Sequence, residues 1–134
     1  MTVKLLGLPP RQLGLRTLFR LVAADMTLTT DQVFVKLFAG SRYVVTDVVG
    51  QRISGAFGVA CSGGIYTGAA KTGLVLLSAS QTWAALTGAD TAQFAAAANL
   101  LQTSVFTATP LLSLTTGNTG ALVADILICG IVVD

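Results

Sequence analysis

Residues 110–134 read PLLSLTTGNTGALVADILICGIVVD, and the reading of this stretch decides the fold. Two strongly β-forming runs flank Thr115-Thr116-Gly117-Asn118-Thr119-Gly120. Glycine and asparagine accept positive φ, so this segment reads as the connection of a hairpin. The second run, residues 121–133, has no polar face. Leu122, Ala124, Ile126, Ile128, Gly130 and Val132 share one side of an extended strand. Ala121, Val123, Asp125, Leu127, Cys129, Ile131 and Val133 share the other. A strand with one wet face alternates apolar with polar residues, whereas a strand covered on both sides does not. The pattern therefore places this strand centrally, with a core against one face and a second layer or another subunit against the other. Which face meets the core stays open at this level. The row Val123, Leu127, Cys129, Ile131 and Val133 is the candidate oligomer interface.

Composition points the same way. The chain has 134 residues, a size suited to one domain. Hydrophobic residues make up 53% and charged residues 10%, against about 25% charged in typical soluble domains. A chain so poor in charge exposes neutral or apolar surface, which favours association. A membrane protein is the weaker explanation, because a spanning helix needs about 20 mostly apolar residues. The uncharged windows 72–89 and 91–124 are interrupted by Ser78, Ser80, Gln81, Gln93, Asn99, Gln102 and Pro110. Near the N-terminus, Pro9-Pro10 and Arg11 break the apolar stretch, so it does not read as a signal peptide. Cys61 and Cys129 are the only cysteines, too few for a disulfide framework, and read as buried free thiols of a protein made in a reducing cytosol.

Charge is unevenly placed. Residues 1–52 hold seven cations against three aspartates, and residues 53–134 hold one cation against three. The first 20 residues read as an extended docking arm: leucines alternate loosely with Lys4, Arg11 and Arg16, and Pro9-Pro10 forbids a helix through the middle. The candidate partner-docking residues are Lys4, Leu5, Leu6, Leu8, Arg11, Leu13, Arg16 and Arg20. Four cations with Phe19 as the one interleaved aromatic are a weak nucleic-acid footprint, so an acidic protein surface is the expected partner.

Residues 21–134 read as one β-domain, and residues 17–23 lead into it as a first strand or a helical turn. The segment 32–38, QVFVKLF, alternates Val33, Val35 and Leu37 against Gln32, Phe34 and Lys36. The segment 42–52 is rich in β-branched residues, and Ala39-Gly40-Ser41 between them reads as a hairpin turn. Short strands are expected near 56–61, 65–70, 74–77, 92–101, 104–108 and 111–116. A helical turn is expected at 81–86, N-capped by Ser80. Many short strands with regular turn signals make the expected fold all-β, a sandwich or jelly roll with an extended N-terminal arm.

Catalytic chemistry finds little footing. The chain contains no histidine and no glutamate, which removes Ser-His-Asp, Cys-His and His-ligated metal sites. The two cysteines do not suggest zinc, and no cofactor is expected. The run 63–72, GGIYTGAAKT, fails as a phosphate loop because Lys71 does not follow Gly68 directly. Trp83, Tyr43, Tyr66 and Phe94 would line a glycan site if exposed, but single aromatics in an all-β chain more often fill the core.

From Ala23 onward the chain resembles the small virion structural proteins of tailed bacteriophages, of the head decoration (cement) or fibre type. The resemblance lies in an order of features: Ala23-Ala24-Asp25, Thr29-Thr30, the run 33–38, Ala39-Gly40 and the run 43–49. A Gly/Ala-rich middle then leads to 74–77, 111–116, the Gly/Asn turn and 121–133. It implies a compact β-sandwich forming a symmetric homo-oligomer, commonly a trimer, on the major capsid protein of a phage head. The implied location is the virion, with no enzymatic activity, nucleic acid or membrane. The alternative is a receptor- or glycan-binding module of a tail or head fibre.

Overall fold

A computed structural model describes residues 15–58, 61–86, 91–95 and 106–133. These form nine strands: β1 (Leu15–Asp25), β2 (Gln32–Val33), β3 (Val35–Lys36), β4 (Tyr43–Gly55), β5 (Ser62–Gly68), β6 (Thr72–Leu77), β7 (Thr91–Ala95), β8 (Leu111–Thr116) and β9 (Leu122–Val132). Two short 3-10 turns lie at Ala69–Lys71 and Ala84–Leu86. The strands build two antiparallel sheets, ordered β3-β1-β9-β4-β7 and β2-β8-β5-β6. The all-β expectation holds. Pairing is nested along the chain: β1 with β9, β2 with β8, β4 with β7 and β5 with β6.

β9 is central, as its two-sided apolar pattern requires, with β1 on one side and β4 on the other. The face carrying Leu122, Ala124, Ile126 and Ile128 is wholly buried. These residues join Leu18, Phe19, Val45 and Val48 of the same sheet, and Ile65, Leu77, Leu112 and Leu114 of the other, in one hydrophobic cluster. Each fully buried aliphatic side chain contributes about 1.5–3 kcal/mol through removal from water. Gly130 continues this face because a Cβ there would lie 1.9 Å from the Val44 carbonyl oxygen. Trp83 fills the core and donates from Nε1 to the Gly63 carbonyl at 3.2 Å.

Several local expectations change. Residues 111–133 are not a hairpin: β8 and β9 belong to opposite sheets, and 117–121 carries the chain between them. Asn118 holds this corner. Its Oδ1 accepts from Gly58 N–H at 2.8 Å, its Nδ2 donates to the Ala56 and Gly120 carbonyls, and its own N–H donates to the Met26 carbonyl. Gly117 is needed beside it, since a Cβ would sit 2.2 Å from the Thr27 carbonyl oxygen. Residues 32–38 likewise split at Phe34, which is buried, so that β2 joins one sheet and β3 the other. Ala39-Gly40-Ser41 is therefore no hairpin turn, because β1 and β9 stand between β3 and β4.

Other boundaries move as well. β4 runs on to Gly55, and 56–58 is irregular instead of starting a strand. Within the expected 104–108 strand, Phe106 makes an isolated bridge to Tyr43. β7 (Thr91–Ala95) covers 92–95 of the expected 92–101 strand, and 96–101 lies outside the described residues. The 3-10 turn at Ala84–Leu86 is opened by Thr82, whose Oγ1 accepts from Ala84 N–H, and not by Ser80. β1 starts at Leu15 and pairs with β9 from there, so 15–20 belongs to the sheet and not to the arm, in line with the strand reading of 17–23.

The two faces of β9 make separable predictions. Ile126→Ala is expected to cost about 2–5 kcal/mol by opening a core cavity. Leu127→Ala, on the half-buried face, is expected to cost the isolated subunit markedly less. Chemical denaturation of both variants checks the difference.

Candidate interaction face and polar clusters

The second face of β9 points away from the core. Val123, Leu127 and Cys129 on it are half-buried, and Ile131 and Val133 are 37% and 38% exposed. All five candidate interface residues thus share one surface. Register adds Val44 opposite Ile131 and Val49 opposite Leu127, both half-buried, which sequence reasoning did not single out. Their signal was the β-branched run of β4, but nothing in one strand tells which residues stand beside a given residue of another.

Asp125 is the one charge on this strand, and its geometry explains it. Its Oδ1 accepts from Ala23 N–H at 2.8 Å, and its Oδ2 accepts from Arg20 at 2.9 Å. Ala23 has φ of 53° within the bulge that interrupts β1 between Leu21 and Ala24. A left-handed alanine at a bulge is strained, and the carboxylate holds the displaced N–H there. Ala23 and then Arg20 keep this carboxyl below its ordinary value of 3.8. Thr17, Arg20, Leu37, Gln51, Asp125 and Leu127 line a shallow concavity of about 250 Å³ on this face.

Of the predicted docking residues, Arg16 and Arg20 lie in β1 and are exposed, Arg16 opposite Gly130 and Arg20 opposite Leu127. Lys4, Leu5, Leu6, Leu8, Arg11 and Leu13 lie outside the described residues. Cys129 is half-buried beside Thr17, and desolvation together with Asp47 pushes its thiol up. Burial pushes the Cys61 thiol up to about 11. Both sulfurs therefore stay protonated and weakly nucleophilic at neutral pH.

A second polar cluster joins the β5–β6 connection to β8. Lys71 Nζ lies 3.1 Å from Ser113 Oγ, and Ala70 N–H donates to Asp31 at 2.8 Å. Ser113 also bonds the Asp31 carboxylate, and Ala70 and Lys71 have φ of 54° and 64°. The serine–lysine distance suits a nucleophile and its base. However, Lys71 Nζ donates to Ser113 Oγ and the serine hydroxyl bonds Asp31, the reverse of the direction that a base accepting the serine proton needs. Ser113 is also buried, at 1% exposure. The cluster acts as a strut that pins a strained turn. Nothing in the sequence signalled it, because the three residues come from three separate segments.

Both tyrosines and the tryptophan turn inward. Trp83, Tyr43 and Tyr66 are 0%, 1% and 3% exposed. Phe19, Phe38, Tyr43 and Phe106 form one packed group, with the Phe19 and Tyr43 ring centroids 4.9 Å apart. Phe94 pairs with Val48 in register. Among the described residues no three His, Cys, Asp or Glu side chains come together to hold a metal, and no helix is long and apolar enough to cross a membrane. Comparison with family models, curated proteins and solved structures finds no match to this chain.

The Asp125 contacts predict a pH signature. A depressed folded pKa contributes stability above the ordinary aspartate value, which is lost as pH falls through the lower folded value. Asp125→Asn should therefore be less stable than the parent at neutral pH. The gap should narrow as pH falls below about 4, as read from denaturation midpoints across the acid range.

Proposed function

We propose that this protein is a structural protein of a bacteriophage virion: a capsid decoration (cement) protein that assembles as a symmetric homo-oligomer, a trimer, on the phage head. The observation that carries this reading is the outer face of β9. Val44 with Ile131 and Val49 with Leu127 give the middle of a sheet two apolar pairs, on either side of Cys129 and Asp47, with the ion pair of Arg20 and Asp125 beside them. Apolar surface in mid-sheet on a chain with so few charges favours burial against another subunit.

The nested strand pairing supports the reading by analogy. Pairing the first half of a chain with the second in this order is how a jelly roll is wound, a fold that viral capsid and lectin domains share. Binding only the assembled shell would stabilise that shell by mass action. In this reading the basic, leucine-rich N-terminal segment reaches a neighbouring subunit or the major capsid protein, and no catalysis is involved. The fibre-type glycan module has less support, because Trp83, Tyr43 and Tyr66 are inside the sandwich.

Sedimentation at micromolar concentration should give a homo-oligomer, which Leu127→Asp converts to smaller species by placing an unpaired carboxylate in the interface. Undecorated capsids should take up the parent protein and resist heat better with it. A folded parent that stays monomeric and does not bind capsids would overturn the proposal.

A further inference from the structure

Exposed aliphatic side chains mark the sheet edge beside the outer face of β9. Val33, Val35 and Leu37 are 59%, 59% and 50% exposed, while Phe34 and Phe38 between and beside them are 2% and 8% exposed. The alternation read from the sequence is present, but its larger aromatic members turn in and its aliphatic members turn out. This segment is also an edge twice over: β2 ends the smaller sheet and β3 ends the larger one. Each pairs with a neighbour on one side only. An exposed, apolar sheet edge is a template for another extended chain. Sheets normally blunt such an edge with charge, and the charges here are engaged elsewhere. Lys36 donates to the Gly40 carbonyl and lies over the Phe38 ring, and Arg20 is paired with Asp125.

We infer that this edge is the docking site for the N-terminal segment, residues 1–14, of a second copy of the chain. This rests on the oligomer proposed above and names the contact its arm makes. Three observations select the occupant. First, the segment has the matching chemistry: Val3, Leu5, Leu6 and Leu8 are apolar, and Lys4 and Arg11 are cations. The edge has Asp31 and Asp25 at its β2 end, where Gln32 bonds both backbone groups of Asp25. Second, 14 residues reach at most about 46–50 Å, enough to cross onto a neighbouring subunit. Third, the exit point disfavours the chain's own arm. β1 is antiparallel to β3, and Leu37 N–H donates to the Leu18 carbonyl, so the arm leaves β1 at the Leu37 end. Folding back along its own edge, it runs parallel to β3, the less stable pairing. An arm from a second copy approaches from any direction and takes the antiparallel one.

The experiment places a photoreactive phenylalanine analogue at Val35 and mixes that protein with an equal amount of isotope-labelled parent. Adducts are mapped by mass spectrometry, and sedimentation of the same sample is recorded. The expected product joins position 35 of one copy to residues 1–14 of the other isotope. Deleting residues 1–14 should abolish it and speed amide exchange at 33–37 about tenfold, with β9 amides unchanged. Adducts confined to one isotope assign the edge to the chain's own arm and overturn the inference. An oligomer without arm adducts overturns the inference while sparing the oligomer. A monomer in sedimentation overturns both. Should the truncated chain fail to fold, the adduct map of the full chain still decides.

Discussion

The structure depends on β9 having one face wholly buried and a paired strand on each side. A chain can bury both neighbours and one entire face of a strand only by placing it in the middle of a sheet that has another sheet beneath it. Leu122, Ala124, Ile126 and Ile128 impose that requirement, and β1 and β4 meet it along nearly the whole strand. Once β9 is central, the remaining strands have few places left. β8 cannot stay beside β9, so it crosses to the opposite sheet, where Leu112 and Leu114 face the same core.

The crossings are where polar chemistry enters an apolar fold. Backbone that leaves a sheet loses its ladder partners, and a buried group without a partner is costly. Asn118 supplies these partners at the corner between β8 and β9, acting as donor and acceptor to three other backbone positions. Asp125 does the same for the bulge in β1, and Asp31 for the turn before β6. Two aspartates and an asparagine that look isolated in the sequence each hold a place where the backbone departs from regular pairing. Their role is conformational, and it accounts for charge at positions where a catalytic reading would otherwise look for function.

What is left at the surface is unusual for a lone subunit. The outer face of the larger sheet carries apolar pairs, Val44 with Ile131 and Val49 with Leu127, and the 32–37 edge beside it carries exposed aliphatic side chains. The two surfaces differ in kind. The face is flat and already paired within its sheet, so it offers side-chain packing. The edge offers backbone groups as well, which suits an extended segment. A subunit with both can make a closed oligomer with one and tie neighbouring copies with the other.

The sequence by itself determined the all-β class, the central place of β9 and the poverty of catalytic groups. These follow from local pattern: side-chain alternation with period two, missing residue types and glycine placement all survive whatever the chain packs against. Which face of β9 meets the core, and where β8 and β3 go, only the tertiary structure decided. Thr115–Gly120 has the residues of a hairpin turn and Ala39-Gly40-Ser41 likewise, yet both connect strands that are not neighbours. Turn chemistry sets how sharply the backbone bends and leaves open which sheet the next strand joins. That choice is made by the hydrophobic faces seeking one common core, and it turned Phe34 and Phe38 inward while leaving Val33, Val35 and Leu37 in water.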